Sequence, residues 1–173
     1  VAHSQFSQKA PDAAPLLLQI SQNAQSTLES ISDLIWAVKP HADYLNDMAD
    51  RMREYAVKML DAKDIDYEMK IPRNLPMRDL DIETRRNIYL IFKEALNNAM
   101  KYSQCSRIDI SLQVENERLN LRVADNGGGF DPAVARRGNG LANMEKRARD
   151  IGGDFYITTA PGQGTDVRFS LPL

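Results

Sequence analysis

The chain has 173 residues, of which 43% are hydrophobic and 27% are charged, and its formal net charge is −2. This hydrophobic content is enough for a core and argues against disorder, while the balanced charge argues against a nucleic-acid-binding protein. The single cysteine, Cys105, cannot form an internal disulfide, which fits a reducing compartment, and no apolar run approaches the about 20 residues of a membrane span. Because the chain does not begin with Met, we expect a piece of a longer protein, whose membrane anchor would lie outside it.

The first 40 residues are predicted to form a polar lead-in followed by one helix. Apolar residues recur at spacings of three and four between Leu17 and Val38, and Pro40 ends the pattern. This narrow stripe is typical of a helix that packs on partner helices, although a surface helix covering its own domain has the same pattern. We therefore place one unit at residues 1–40 and a second unit at residues 41–173.

The second unit is predicted to combine helices with short strands. Helices are expected at 44–62, 82–102 and 141–151, and strands at 67–71, 108–114, 119–123, 154–159 and 165–171. The buried face of the helix at 82–102 is expected to contain Ile88, Ile91, Phe92, Ala95, Ala99 and Tyr102. This order predicts an α/β fold, a two-layer sandwich in which helices cover one face of a mixed β-sheet, preceded by one long helix.

The helix predicted at 82–102 also carries a polar set on one face. Glu94, Asn98 and Lys101 lie at positions i, i+4 and i+7, so they share a direction. An ordinary solvated helix face has the same composition, so this set alone favours no function. As a functional site, the Asn carbonyl oxygen would suit Mg²⁺, and a lysine one turn further would suit a phosphate oxygen.

A carboxylate followed by three glycines comes after the strand predicted at 119–123. A tight turn needs one or two glycines, so the run of three at 127–129 indicates backbone that approaches a ligand closely. Asp125, just before it, can accept a hydrogen bond from the exocyclic amine of adenine and would repel the carbonyl of guanine. The alternative is a flexible turn after an edge strand.

Two further glycine pairs follow. Gly138 and Gly140 precede a predicted helix, whose free N-terminal amides would attract phosphate, and two arginines at 136–137 lie just before them. A solvated loop would have the same composition. The last pair belongs to the Gly-x-Gly-Thr segment at 162–165, which alone indicates only a hairpin turn.

The order and spacing of these motifs are more specific than any one of them. Glu-x-x-x-Asn on a helix, then Asp-x-Gly-x-Gly, Gly-x-Gly and Gly-x-Gly-Thr resemble the N box and glycine boxes of the histidine-kinase and gyrase-type ATPase superfamily. The resemblance covers about residues 43–173, and residues 91–103 look very like the N box of a sensor kinase. Residues 140–147 look like the subgroup that pairs with response regulators having a helix-turn-helix output domain. Residues 31–40 look like the end of that subgroup's dimerisation hairpin.

The resemblance implies a Bergerat-type ATP-binding fold, which holds ATP and Mg²⁺ between its helices and a lid, here at about residues 130–139. Position by position, it implies that Asn98 binds Mg²⁺, that Lys101 approaches the phosphates and that Asp125 binds the adenine amine. Thr165 is expected to support Asp125, directly or through water.

The remaining site residues expected from the resemblance belong to the same boxes. The glycines expected to shape the pocket and the lid are Gly127, Gly129, Gly138 and Gly140. The nucleotide is further expected to contact Tyr102, Phe130, Leu141 and Gly164. Glu94 is the expected catalytic residue, and two roles stay open for it: polarising the acceptor imidazole or orienting Asn98.

The resemblance implies an ATP-dependent protein histidine kinase of a two-component system. The γ-phosphate would pass to a histidine on an upstream dimerisation helix of a homodimer, and then to the receiver domain of a response regulator. The domain would be the cytoplasmic part of a membrane-anchored receptor, with no nucleic acid as partner. His3 is followed by Ser4, and His41 follows a proline, so neither has the adjacent acid of a phosphoacceptor. The acceptor is therefore expected before Val1.

Two other function classes have distinguishable signatures. An ATP-hydrolysing relative of the gyrase type would be expected to continue past Leu173 into a long transducer domain, and a serine-phosphorylating relative would lack the preceding dimerisation helix. A nucleotide-binding module without catalytic activity would be expected to have a broken box, and every box is intact in this sequence.

Overall fold

The computed structural model describes residues 13–38, 44–131 and 139–173. The chain divides into two compact units, residues 1–40 and 41–173. Within the described ranges, the first unit contributes one helix, and the second contributes three helices and a five-stranded sheet. None of these helices is both long enough and apolar enough to cross a lipid bilayer.

Helix α1 spans Ala13–Val38 and carries the apolar stripe that the sequence predicts. Side chains along the stripe are exposed: Leu17, Ile20, Leu28, Ile31 and Ile35. Apolar residues at this spacing on an exposed helix surface are typical of a helix that packs on partner helices. The proline predicted to end the helix lies outside the described residues.

The sheet of the second unit has the strand order β1-β2-β3-β5-β4. Strand β1 (Asp66–Lys70) pairs in parallel with β2 (Arg107–Glu115), and the other neighbouring strands are antiparallel. The remaining strands are β3 (Arg118–Asp125), β4 (Asp154–Thr159) and β5 (Thr165–Pro172). The sheet is therefore mixed, with its one parallel pair at an edge.

Three helices cover one face of this sheet: α2 (Tyr44–Asp61), α3 (Ile82–Tyr102) and α4 (Asn139–Asp150). Side chains alternate along the strands, so every second residue meets the helices. The core of the strands includes Ile108, Ile110, Leu112, Leu119, Leu121 and Phe169, and the helices contribute Leu45, Met48, Met52, Ile88, Ile91, Phe92 and Leu96. The predicted two-layer α/β sandwich is confirmed.

The opposite face of the sheet is polar and carries ion pairs. Asp166 accepts hydrogen bonds from Arg122 on the neighbouring strand at 3.0 Å and from Arg168 at 2.8 Å. Arg118 forms an ion pair with Asp154 on the same face. Each exposed pair contributes little to stability. Together the pairs make this face compatible with water, so it needs no covering layer of helices.

Helix α3 carries much of the candidate site and has a defined start and end. Asp81 caps its N-terminus and accepts hydrogen bonds from the amide of Thr84 at 2.8 Å and from its hydroxyl at 2.6 Å. At the other end, the Ser103 hydroxyl donates to the carbonyl of Ala99 at 2.6 Å. The prediction that Tyr102 is buried is wrong: its side chain is 76% exposed. The helix ends at this residue, which lies at the rim of a cavity and not in the core.

The segment at 71–81, between β1 and α3, has no regular structure and is held by side chains of α2. The amide nitrogen of Asn46 donates to the Leu75 carbonyl at 3.0 Å, and its oxygen accepts from the Leu75 amide at 2.8 Å. Arg53 donates to the carbonyl of Pro72 at 3.2 Å. These bonds satisfy backbone groups outside any helix or strand and so define the path into α3.

Asn46→Ala is expected to lower the free energy of unfolding by about 1–3 kcal/mol, because the buried Leu75 loses both backbone partners. Glu54→Ala, an exposed change on the same helix, is expected to alter it by less than about 0.5 kcal/mol. Urea unfolding measures both variants. Equal stability of the two would show that Asn46 does not hold this segment.

Candidate functional site

A cavity of about 420 Å³ opens between α3, α4 and the ends of strands β3 and β5. Its size suits a small-molecule ligand. Most of the predicted site residues line it: Glu94, Asn98, Tyr102, Asp125, Gly129, Phe130, Gly140, Leu141 and Thr165. Residues that the sequence did not single out for the site also line it: Ala95, Ala99, Ser103, Val123, Met144 and Val167.

The cavity is elongated, with a carboxylate toward each end. Glu94 and Ser103 both line it and are nine residues apart on and just after α3, about 13 Å by helical rise. Asp125 lies toward the Ser103 end, because the Gly128 amide donates to the Ser103 carbonyl at 2.7 Å. Apolar side chains line the space between, chiefly those of Val123, Val167, Met144 and Leu141. A ligand with a flat apolar part and a charged tail fits this arrangement.

Asp125 is the last residue of β3, and its side chain is partly buried. Its Oδ1 accepts a hydrogen bond from the Gly127 amide at 2.9 Å. Burial raises the pKa of Asp125, and hydrogen bonds from Gly127, Ser103 and the Thr165 backbone offset only part of that rise. The side chain is thus an incompletely solvated acceptor at the cavity.

The glycines that follow β3 pass between the end of α3 and the β4–β5 turn. A side chain on Gly127 would overlap the backbone of Ser103, and one on Gly129, whose φ is +56°, would overlap the carbonyl oxygen of Ala160. At Gly128 an added Cβ would lie 3.7 Å from its nearest neighbour. The close approach that the sequence indicated is therefore to the protein's own backbone, and it requires two of the three glycines.

The turn between β4 and β5 supports the glycine segment from the other side. The Phe130 amide donates to the Thr159 hydroxyl oxygen at 3.1 Å. Gly164, with φ at +69°, packs against the carbonyl of Asp125 and lies beside the cavity without lining it. Sequence reasoning did not single out Thr159, because a threonine at the end of a strand carries no signal of such a contact.

The first turn of α4 forms the end of the cavity opposite Asp125. A side chain on Gly140 would overlap the carboxylate of Glu94, and the same point lies 3.3 Å from Nδ2 of Asn98. Glu94 and Asn98 therefore both approach this helix N-terminus, where unpaired backbone amides and the positive end of the helix dipole lie. This is the end of the cavity best suited to phosphate groups.

Helix α4 is joined to α3 further along by a side-chain hydrogen bond. Arg147 donates to Oδ1 of the buried Asn87 at 3.1 Å. Burial and the nearby Arg86 lower the pKa of Arg147, and Glu94 and Asp150 partly offset this. The two helices run antiparallel, since Asn87 meets Arg147 while Glu94 meets the start of α4.

Some predicted site residues do not line the cavity. Lys101 is exposed on α3, one turn from Asn98, and Gly127 lies behind the lining against Ser103. Gly138 and the arginines at 136–137 lie outside the described residues, as does most of the predicted lid. Their predicted roles stay predictions.

The residues at the α4 end fit a magnesium ion that also binds phosphate. In the part of the chain that the structure describes, no three His, Cys, Asp or Glu side chains form a metal cluster. Mg²⁺ requires none, because it takes one or two protein oxygens and completes its octahedral shell with water and phosphate oxygens. Asn98 lines this end of the cavity, and its side-chain amide includes an oxygen of the kind that Mg²⁺ takes.

Comparison with known proteins identifies the family. Residues 83–173, which contain the whole cavity, match the family described as "Histidine kinase-, DNA gyrase B-, and HSP90-like ATPase". The chain belongs to this family of ATPases. The family assignment and the fold confirm the predicted resemblance to this superfamily.

The relatives that the chain matches include a sensor protein and a sensor histidine kinase. The chain is 32% identical over 114 residues to the sensor protein VraS of Staphylococcus epidermidis. The aligned region covers 63% of this chain and 33% of VraS. It is 34% identical over 88 residues to the sensor histidine kinase LiaS of Bacillus subtilis, covering 50% of this chain and 24% of LiaS. The matches thus span a third or less of these relatives' length.

A solved structure with 19% identity has a similar fold. The histidine kinase domain of the blue-light activated histidine kinase from Erythrobacter litoralis EL346 superposes with a TM-score of 0.66, covering 94% of this chain and 88% of that chain. The sandwich of helices on a mixed sheet is therefore shared with a histidine kinase domain.

Gly127→Ala is expected to weaken ADP binding at least about tenfold, because the added methyl must displace the Ser103 backbone. Gly128→Ala is the matched control, since its Cβ has room, and is expected to change the dissociation constant less than about twofold. Calorimetric titration measures both. Equal losses in the two variants would show that the steric argument is wrong.

Asp125→Asn is expected to preserve or raise the melting temperature of the nucleotide-free protein at neutral pH. The amide oxygen can still accept from Gly127, and the burial cost of a charged carboxylate disappears. Because the folded-state pKa of Asp125 is raised, the side chain contributes favourably to the free energy of unfolding at low pH. This contribution is lost as pH rises through that pKa. The wild type should therefore lose stability relative to the variant as pH rises from about 4.

The same variant is expected to weaken adenine nucleotide binding by about 1.5–3 kcal/mol, the worth of a hydrogen bond to a charged group. Thermal melts across a pH series and ADP titrations separate the two effects. A variant that is less stable and still binds ADP with full affinity would contradict both the burial cost and the base contact.

Proposed function

We propose that this chain is the catalytic domain of a two-component sensor histidine kinase, which binds Mg-ATP and transfers the γ-phosphate to a histidine. The observation that carries the proposal is one cavity with a base acceptor toward one end and a phosphate-suited helix N-terminus at the other. Membership of the ATPase family and similarity to VraS and LiaS, which are sensor proteins, support the same function.

Asp125 is proposed to recognise adenine. Its carboxylate borders the apolar part of the cavity, formed by Val123 and Val167, which suits a planar base. A carboxylate accepts from the exocyclic amine of adenine and offers no donor to the carbonyl of guanine. Thr165 would support Asp125 through its backbone, because a hydrogen bond from that backbone favours the charged form of the Asp125 carboxylate. Tyr102 and Phe130 are proposed to contact the base or ribose from the rim.

Asn98 is proposed to hold Mg²⁺ through its side-chain oxygen. The bound metal would supply charge neutralisation on the phosphate oxygens. The residues of the chain act by position: α3 presents Asn98, the first turn of α4 presents its amides at Gly140 and Leu141, and the apolar wall limits water. Lys101, one turn from Asn98, is proposed to approach the phosphates.

Glu94 has two candidate roles, and its surroundings favour one. Its carboxylate lies against the start of α4 beside the Asn98 amide, so it is placed to orient Asn98 and to fix the helix N-terminus. Polarisation of an acceptor imidazole requires access from outside the chain, and that role depends on the docked substrate. We therefore propose Glu94 as an orienting group that also borders the reacting phosphate.

The acceptor histidine is proposed to lie on a dimerisation hairpin in which α1 is the second helix. The exposed apolar stripe of α1 suits packing on partner helices in a homodimer. The phosphate would then pass to an aspartate in the receiver domain of a response regulator with a helix-turn-helix output domain. We propose that the domain faces the cytoplasm in a membrane-anchored receptor.

The chain can be tested with a separately supplied two-helix hairpin that carries an acceptor histidine. The chain itself is expected to bind ATP at least about tenfold more tightly than GTP, because the guanine carbonyl would face the Asp125 carboxylate, which is also an acceptor. With γ-labelled ATP and Mg²⁺, label is expected on the hairpin in acid-labile, base-stable form. Asn98→Ala is expected to abolish most of the Mg²⁺ dependence of binding, whereas Asn143→Ala, an exposed change on α4, should leave it intact.

The outcomes separate the proposed kinase from its alternatives. Acid-stable label on a hydroxyl residue would indicate a serine kinase, and release of free phosphate with an unlabelled hairpin would indicate an ATP-hydrolysing relative. Equal affinity for ATP and GTP would contradict the role of Asp125. A full metal effect in Asn98→Ala would show that the magnesium ligand is misassigned.

A further inference from the structure

We propose that Thr159 is a positioning residue for the nucleotide site. Its hydroxyl holds Phe130 and Thr165 in place at the cavity. Thr159 is the last residue of β4 and does not line the cavity itself, whereas both of its partners do. The inference rests on the proposed function, because it assigns a supporting residue to the same nucleotide site.

The sheet places Thr159 in register with the base-recognition residue. Asp125 of β3 pairs with Thr165 of β5, and Thr165 pairs with Thr159 of β4. These three residues therefore form one row across adjacent strands, with Thr159 about 10 Å from Asp125 at the usual strand spacing. The row ends at Thr159, where β4 is the edge strand of the sheet.

The hydroxyl of Thr159 uses its full hydrogen-bonding capacity. It donates to the carbonyl of Gly164 at 2.9 Å and accepts from the Phe130 amide at 3.1 Å. Its second acceptor position faces the Thr165 hydroxyl oxygen at 3.3 Å, and since its one hydrogen goes to Gly164, Thr165 is the donor. One oxygen thus joins the start of β5, the turn before it and the segment that leaves β3.

The contacts of Thr159 enclose Gly129, a glycine of the cavity wall with no room for a side chain. The Gly162 amide donates to the Gly128 carbonyl at 2.6 Å on one side of Gly129, and the bond from Phe130 to Thr159 lies on the other side. Between these bonds Gly129 packs against backbone carbonyls at positive φ. Loss of the Thr159 hydroxyl would leave the Phe130 amide without this acceptor and allow Phe130 and Gly129 to move from the cavity wall.

A graded series at Thr159 tests the proposal in the full chain. Thr159→Val keeps the shape and removes the hydroxyl, Thr159→Cys keeps a weak hydrogen-bonding group, and Thr159→Ser keeps the hydroxyl. Thr158→Val is the matched control, because Thr158 is the neighbouring residue on the exposed face of the same strand. ADP affinity is measured by calorimetry well below the melting temperature, and the Phe130 amide is followed by NMR and hydrogen exchange.

Thr159→Val removes the part-buried acceptor of the Phe130 amide together with the other bonds of the hydroxyl. It is expected to weaken ADP binding about tenfold and to speed exchange of the Phe130 amide. Thr159→Ser and Thr158→Val are expected to stay within about twofold of the wild type, with Thr159→Cys between Ser and Val. If Thr159→Val does not fold, the Cys variant decides, since affinity equal to that of the Ser variant would refute a role for the hydroxyl.

Other outcomes separate positioning from mere stabilisation. A lower melting temperature in Thr159→Val with unchanged ADP affinity would show a structural role only and would overturn the proposal. A Thr159→Ser variant as weak as Thr159→Val would assign the effect to the methyl group and overturn it as well. If the wild-type chain binds no adenine nucleotide, the proposed function itself is refuted, which the wild-type titration shows independently.

Discussion

The contact between the glycine segment and the end of α3 is the constraint on which the site depends. Gly127 lies so close to the Ser103 backbone that no side chain fits, and the Gly128 amide is bonded to the Ser103 carbonyl at 2.7 Å. This contact brings the end of β3 against the end of α3, so that Asp125 and Asn98 face one cavity. Without it, a residue on the sheet and a residue on the helical layer would not line the same cavity.

Much of the fold was predictable because it depends on local periodicity. Alternation of apolar residues in β2 and β3 and the helical spacing in α3 are properties of neighbouring residues, and the structure has both. Tyr102 was mispredicted because helical periodicity does not indicate where the helix ends beside a cavity. Val123 and Val167 were within reach of sequence reasoning, since each lies two residues from a predicted site residue on the same strand face. Thr159 was not, because its role depends on strand register and on a turn formed by distant residues.

The Asp125 end of the cavity carries a stability cost that the proposed function would explain. Asp125 is partly buried, and its pKa is raised because burial outweighs the hydrogen bonds it receives. A residue selected for stability alone at this position would be neutral or fully solvated. The hydrogen-bonding capacity that the carboxylate retains is available to a ligand, so the feature that costs stability is also what the proposed base contact would use.

The two ends of the cavity are built from different kinds of interaction, and this difference bears on how the site works. At one end, Asp125, Thr165 and Thr159 lie in one hydrogen-bonded row of the sheet, which holds their relative positions. At the opposite end, the first turn of α4 meets α3 through side chains, with the Arg147–Asn87 bond two turns away. Packed helices slide past each other at lower cost than paired strands separate, because no backbone hydrogen bonds must break. The Asp125 end of the cavity is therefore the more rigid end, while the residues proposed to approach the phosphates lie on the layer that can adjust.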